Sequence, residues 1–247
     1  DHAHIQYYIK YYINIGVDNV TILHVDDIPL ILDDELQHYI DIGKLVIINT
    51  INNADTTLGE NYDIFTDPNY DWVLNFDSDE YVVFDMDKYP QINDLVANIK
   101  KWCKDNGKLE DEDHLQQIIF EWICIDKFDT LPNINVLEDY INNYKARPYK
   151  FIKCMANVKY LAPKNINLNP TKYINPHFLN IKCTTSGKIY NLADDIFVRL
   201  KNPSINILNR ELYKWGYILH LNNRSAVNSL IKSLTSKFTY NNKHTPD

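Results

Sequence analysis

Three carboxylates stand within four positions between two apolar runs. The segment WVLNFDSDEYVVF (72–84) places Asp77, Asp79 and Glu80 at the end of the first run. Uncompensated charge at the end of a buried strand is costly, so the cluster is expected to have a function. If the first run is a strand, alternation directs Asp77 and Asp79 to the same side. Two such carboxylates suit Mg²⁺ or Mn²⁺, and the small Ser78 leaves room for a substrate phosphate.

The plainer interpretation is that D-x-D segments are common in loops and merely solvate the end of a strand. The position of this cluster between two apolar runs weakens that interpretation, because solvated loop charges do not normally interrupt buried segments. The pattern therefore favours a cation site.

Helix and strand patterns alternate ahead of the cluster. Apolar residues at helical spacing over 5–13 predict a helix that ends near Gly16. Residues 19–25 and 45–49 read as buried strands, with a helix over 33–44 between them. This alternation predicts an α/β fold with a mainly parallel central sheet flanked by helices.

Ligands of such sheets bind beyond the carboxyl ends of the strands. Asp26 and Asp27 follow the predicted strand 19–25, and the acidic cluster follows the predicted strand 72–76. A turn before Pro29 would also explain the aspartate pair. Both sets of carboxylates are nevertheless expected at the same edge of the sheet.

The second half of the chain is less regular. A further strand is predicted over 81–84, an amphipathic helix over 92–104, and strands over 116–125 and 147–161. Residues 162–180 read as a proline-containing loop, and a last helix is predicted from 225 to 237.

Composition limits the function classes. The 247 residues carry a formal charge of −8, which opposes non-specific nucleic-acid binding. No apolar stretch reaches the roughly 20 residues of a membrane-spanning helix, and the first residues do not read as a signal peptide, so we expect a cytoplasmic location or a domain of a larger protein. The 4 cysteines form no CxxC pair, which favours buried thiols over zinc, with disulfides as an alternative.

Five segments, in this order, resemble the GT-A glycosyltransferases grouped as family 92-like or DUF23-like, relatives of the family 2 nucleotide-sugar transferases. The central one is the DxDE core quoted above. The others are IQYYIKYYINIGVDNVTILHVDD (5–27), IIFEWICID (118–126), NPHF (175–178) and GYILHLNNRSAVNSLIKSLTSK (216–237). Together they span most of the chain.

The resemblance implies a single GT-A domain over 1–247. Residues 1–105 would form the half that binds the nucleotide-sugar, and 106–247 the acceptor half with its C-terminal helix. The strand that usually opens this fold, with its Lys-Asn-Glu stretch, is missing ahead of the first helix. Further departures are Ile125-Asp126 in place of Phe-Gly, and Asn222-Asn223-Arg224 in place of an aromatic residue and a lysine.

The implied activity is the metal-dependent transfer of a sugar, with inversion, from a nucleotide-sugar, most often UDP-linked, to a glycan, protein or lipid. Mn²⁺ or Mg²⁺ would be the cofactor, with Asp79 as direct ligand, Asp77 acting through water or ribose, and His220 completing the site. Asp26, Asp27, Asp77 and Arg224 would contact the nucleotide-sugar, as would Lys232 unless it is a solvated surface charge.

An inverting transferase also needs a general base on the acceptor side. The candidates are Asp126, placed first because it ends a strand, then Glu121 and Asp129; the sequence does not choose between them. Trp122 would stack on a sugar ring, and His177 would either line the acceptor site or cap a loop.

Each of these roles has an ordinary alternative. His220 and Trp122 stand among apolar residues, where core packing is the common outcome. A domain that kept the fold for sugar or partner binding and lost catalysis is the main rival function. A nucleotidyltransferase is another, although no glycine-rich phosphate loop is visible.

Overall fold

The computed structural model describes residues 2–25, 28–50, 61–106, 115, 117–126, 147–161, 174–175, 178–179, 181–182, 189–190 and 215–223. Within these ranges the α-helices are α1 (His2–Asn14), α2 (Asp34–Asp41) and α3 (Ile92–Asp105). The longer strands are β1 (Val20–Val25), β2 (Leu45–Thr50), β3 (Trp72–Leu74), β4 (Glu80–Val83), β5 (Gln117–Asp126) and β6 (Arg147–Asn157). The remaining strands are β7 (Ile174–Asn175), β8 (Phe178–Leu179), β9 (Ile181–Lys182), β10 (Ile189–Tyr190) and β11 (Tyr217–Asn223). Two 3-10 helices cover Tyr62–Thr66 and Val158–Tyr160.

β1, α2 and β2 form a parallel β-α-β unit. β1 pairs with β2 in parallel, from Val20 opposite Leu45 to Val25 opposite Thr50. The connecting helix α2 begins where the Asp33 carboxylate accepts a hydrogen bond of 2.9 Å from the Leu36 N–H. This cap satisfies one of the amides that a helix start leaves without a partner.

A second, five-stranded sheet has the order β3-β6-β5-β11-β4. Only β11 and β5 run parallel in it, whereas the β3–β6, β5–β6 and β11–β4 pairs are antiparallel. In β11, His220 lies opposite Glu80 of β4 on one side and opposite Cys124 of β5 on the other. The sheet therefore brings the acidic segment beside a histidine that is distant in sequence.

The α/β class and most of the sequence-predicted elements are confirmed within the described residues. The prediction of a mainly parallel sheet is wrong for the five-stranded sheet. The alternation behind that prediction holds from α1 to β2, but from β3 onward the chain adds strands with one described helix, α3, among them. In this sheet β3 pairs with β6 and β4 pairs with β11, so these antiparallel pairs join strands that are far apart in the chain and not successive βαβ strands. The predicted helix 225–237 lies outside the described residues.

Helices α1 and α3 pack against the strands and form the core. α1 contributes Tyr8, Ile9 and Tyr12, the turn after it contributes Ile15, and α3 contributes Ile92, Leu95, Val96 and Ile99. Gly16 lies in the same turn, and its φ of +91° is in the left-handed region that glycine adopts without strain. Among the described residues no helix is both long enough and apolar enough to cross a membrane.

Candidate functional site

Asp77, Ser78, Asp79 and Glu80 form a tight turn between β3 and β4, which we call the acidic turn. The Glu80 N–H donates to the Asp77 carbonyl at 3.0 Å, and the Asp77 N–H donates to Glu80 Oε2 at 2.8 Å. Because β3 ends at Leu74, the strand alternation predicted for Asp77 and Asp79 does not apply to their side chains. The turn is closed by its own backbone and by the Glu80 carboxylate.

Three tyrosines of α1 bind the backbone on either side of the acidic turn. The Tyr8 hydroxyl donates to the Phe76 carbonyl at 3.3 Å, the Tyr12 hydroxyl donates to the Glu80 carbonyl at 2.9 Å, and the Tyr11 hydroxyl donates to the Val82 carbonyl. The Tyr12 oxygen also accepts from the Val82 N–H at 3.2 Å. Burial raises the pKa of all three phenols, so they stay protonated as donors.

A buried lysine contacts two of the three carboxylates. Lys153 of β6 places its Nζ 3.1 Å from Glu80 Oε2 and 3.1 Å from Asp77 Oδ2. The side chains of Lys153 and Glu80 are 1% and 0% exposed, whereas that of Asp77 is 63% exposed. Burial raises the pKa of Glu80 to about 8, and the nearby Lys153 charge only partly opposes this. Glu80 is therefore part of the protein interior, whereas Asp77 reaches the surface.

Asp79 faces His220 across the β4–β11 pair. Asp79 Oδ1 lies 3.8 Å from His220 Nε2, and both side chains are largely buried. The Asp79 carbonyl accepts from the Leu221 N–H at 2.9 Å, which fixes the turn to β11. The His220 ring stacks on Trp122 with centroids 4.1 Å apart and an interplanar angle of 28°, and its Nδ1 lies 3.6 Å from Cys124 Sγ.

The geometry of Asp79 and His220 fits a shared divalent cation. Carboxylate oxygens and imidazole nitrogens bind such ions at about 2.1 Å, so two ligand atoms of one ion lie at most about 4.2 Å apart. Their 3.8 Å separation is within that limit. In the part of the chain that the structure describes, however, no group of three or more His, Cys, Asp or Glu side chains is close enough to hold a metal ion. Mg²⁺ is usually held by one or two carboxylates, with water and phosphate oxygens in the other positions, so Asp79 is the usual type of ligand for such an ion and the His220 imidazole is the less usual one.

The acidic turn opens onto a cleft of about 980 Å³. Residues of β1 and of β3 line this cleft, and the two strands belong to different sheets and not to the one sheet that the sequence predicted. α1 and α3 supply further lining residues, including Tyr8, Tyr12, Val96 and Lys100. Asp77, Ser78, Asp79 and His220 all line the same cleft. Its volume is within the range of roughly 300–1,000 Å³ that is typical of sites for small molecules and cofactors.

The structure brings together some of the sequence-predicted site residues. Asp77, Asp79 and His220 line the cleft, and Trp122 contacts His220 within the core. Glu121 lies within β5 and Asp126 is its last residue, but their side chains lie outside the described residues. Asp26, Asp27, Asp129, His177, Arg224 and Lys232 also lie outside them, so their predicted roles stay predictions.

Two residues of this site were not anticipated from the sequence. Lys153 stands in FIKCM (151–155), a segment otherwise apolar, and a cation there is a signal that a carboxylate partner must lie nearby. Cys124 gave no such signal, because a cysteine within a buried strand is ordinary. Only the β5–β11 register places it beside His220.

Comparison of the chain with family models, with curated protein sequences and with solved structures gives no match in any of the three.

Proposed function

We propose that this protein is a metal-dependent glycosyltransferase of the GT-A type, which moves a sugar from a nucleotide-sugar to a glycan, protein or lipid acceptor. A UDP-linked donor and an inverting reaction are part of the proposal. The observation that carries it is the placement of Asp77, Asp79 and His220 along one cleft of about 980 Å³. The resemblance of the segment 72–84 to the DxDE core of such enzymes supports the same conclusion.

Asp79 and His220 would hold a divalent cation, Mn²⁺ or Mg²⁺. When bound, the cation would neutralise the negative charge that develops on the departing diphosphate. Asp77 is 63% exposed and already contacts Lys153, so its place in the proposal is next to the donor through water or the ribose. Asp126 or Glu121 would take the proton of the acceptor hydroxyl.

The rest of the acidic turn holds these groups in place. Glu80, Lys153 and the hydroxyls of Tyr8 and Tyr12 fix the backbone from Phe76 to Val82. A site whose ligands are held in position before the substrate arrives loses less entropy on binding it. The buried surroundings also strengthen the electrostatic interactions at the cleft.

A second candidate is a domain that binds a sugar or a protein partner without catalysis. It is favoured by one observation: the Asp77 carboxylate contacts Lys153, whereas only Asp79 of the D-x-D pair lies beside His220. This candidate keeps the cleft but removes the need for a cation. The two functions therefore differ in the cation dependence of ligand binding.

Release of nucleoside diphosphate from a panel of UDP- and GDP-sugars tests the proposal. We expect release from one donor with Mn²⁺, none after chelation, and none from Asp79→Asn under either condition. The acceptor is unidentified, so hydrolysis of the donor, with water as acceptor, is the reaction to follow. A chain that binds the donor equally well with and without Mn²⁺ and releases no diphosphate would support the binding domain instead.

A further inference from the structure

The Cys124 thiol lies against Nδ1 of His220, and Asp79 lies near the other ring nitrogen, Nε2. Cys124 Sγ is 3.6 Å from His220 Nδ1, whereas Nε2 is the nitrogen 3.8 Å from Asp79 Oδ1. The two nitrogens of one imidazole thus meet two different side chains. The side chain beside Nδ1 affects which nitrogen of His220 can bind a cation. An inference about this contact therefore rests on the proposed function.

The pairing of β5 with β11 produces the contact. Cys124 and His220 are register partners in this parallel pair, and both are buried. Trp122, two residues earlier on β5, stacks on the His220 ring. Residues two apart on a strand point to the same face, so a single strand supplies both the stacking surface and the sulfur. The rotation of the ring and the surroundings of Nδ1 are therefore set by the same element.

An imidazole that binds a cation through one nitrogen carries its hydrogen on the other. The partner of that hydrogen fixes the tautomer and the orientation of the ring. A thiol is both a weak donor and a weak acceptor, so Sγ is able to receive the hydrogen of Nδ1. We infer that Cys124 is a positioning residue for His220: its sulfur accepts the Nδ1 hydrogen and leaves the Nε2 lone pair directed towards Asp79 and the cation.

The opposite arrangement has a different outcome. If the thiol donates its hydrogen to Nδ1, the imidazole hydrogen lies on Nε2 and blocks a cation there. The two arrangements are distinguished by the nitrogen that carries the hydrogen, which ¹⁵N spectra of histidine report directly.

The test uses the whole chain labelled with ¹⁵N-histidine, with and without Mg²⁺ and UDP, at one pH. His220 is assigned from the signal lost in His220→Gln. Cys124→Val replaces the thiol with an apolar group, and Cys124→Ala removes the sulfur without adding volume should the valine variant not fold. Cys154→Val is the matched control, because Cys154 is also buried but lies on β6.

In the wild type with Mg²⁺ and UDP we expect the hydrogen on Nδ1. Cys124→Val or Cys124→Ala should show a mixture of tautomers and bind Mg²⁺ about 10- to 100-fold more weakly, the usual effect of removing an outer-shell partner. Cys154→Val should match the wild type in both measurements.

The inference is overturned if the hydrogen of His220 lies on Nε2 in the wild type with Mg²⁺, or if the Cys124 variants keep the wild-type tautomer and affinity. A wild type that gives no response to Mg²⁺ contradicts the proposed function instead. In that case the tautomers without cation decide the role of Cys124: an unchanged tautomer in Cys124→Val overturns it, and a changed one supports it.

Discussion

Lys153 and Glu80 form an ion pair inside the protein, with Nζ and Oε2 3.1 Å apart and neither side chain more than 1% exposed. Lys153 joins β6 to the acidic turn and places its positive charge beside two of the three neighbouring carboxylates. Of those carboxylates, Glu80 contacts Lys153 in the interior, Asp77 contacts it from the surface, and Asp79 faces His220. Glu80 is therefore a structural carboxylate of the interior, whereas Asp77 and Asp79 line the cleft and are available to a ligand.

Replacing Lys153 tests how much its contact with Glu80 contributes to stability. We expect the loss in free energy of unfolding caused by Lys153→Met to be about 1.4 kcal/mol larger at pH 9 than at pH 8 or below, because Glu80 is ionised in the wild type at pH 9 and has to take up a proton once its buried partner is gone. At pH 6 the loss should be smaller, since Glu80 is protonated there. Urea denaturation at both pH values measures the difference. Lys101→Met is the control, because Lys101 pairs with Asp105 on the exposed face of α3 and such pairs contribute less than about 1 kcal/mol.

The raised pKa of Glu80 gives stability a particular pH dependence. In the unfolded chain Glu80 ionises near its ordinary value of 4.5, and in the folded protein its pKa is about 8. Between these values the folded state binds the additional proton, so this group's stabilising contribution is complete below about 4.5 and is lost as the pH rises through 8. We expect the slope to reach at most about 1.4 kcal/mol per pH unit.

Glu80→Gln should remove this slope, because the amide keeps the shape of the side chain and does not ionise. Urea denaturation between pH 5 and 9, in steps of about one unit, compares the two proteins. An identical pH dependence in the wild type and Glu80→Gln would show that the pKa of Glu80 is not raised by folding.

The Tyr12 hydroxyl should contribute to stability through two hydrogen bonds, one donated and one accepted. Tyr12→Phe leaves the Glu80 carbonyl without this donor and the Val82 N–H without this acceptor, and both are in buried surroundings. We expect a loss of about 1–3 kcal/mol. Tyr7→Phe, in the same helix but 43% exposed, should change stability by less than about 0.5 kcal/mol. Equal effects of the two substitutions would contradict the anchoring role of Tyr12.

Asp79 and Asp77 should contribute unequally to cation binding. Asp79 lies beside His220 and within the distance limit for a shared ion, whereas the described contact of the Asp77 carboxylate is with Lys153. Asp79→Asn should weaken Mn²⁺ binding by at least the roughly 10- to 100-fold that loss of an outer-shell partner costs, and Asp77→Asn by less. Titration of Mn²⁺ followed by electron paramagnetic resonance measures both. A larger effect of Asp77→Asn would reverse the assignment.

The sequence predicted the local elements well because their signals are local. Periodicity placed α1, α2 and α3 and the strands β1 to β6 within a few residues of their observed bounds. It failed on the five-stranded sheet, since strand direction depends on connections and pairings that no short window contains. The order β3-β6-β5-β11-β4 brings residues near 80, 122 and 220 together, and periodicity does not contain that information.

Prediction of the site residues succeeded and failed for the same reason. The position of Asp77, Asp79 and Glu80 between two apolar runs indicated that these carboxylates have a function, but not which residues they contact. Lys153 and Cys124 reach the site through strand pairing, so their contacts with Glu80 and His220 could not be read from the sequence. Strand alternation treated Asp77 and Asp79 as equivalent, and the tight turn makes them different.

Calorimetric titration of UDP into the protein, with Mn²⁺ and after chelation, tests the central claim most directly. The account predicts binding that requires Mn²⁺ and is lost in Asp79→Asn and in His220→Gln, while Tyr7→Phe binds as the wild type does. Titration of GDP in place of UDP shows which nucleobase the site accepts. Binding of UDP that is equally strong without Mn²⁺, or that survives both substitutions, would contradict a cation held by Asp79 and His220.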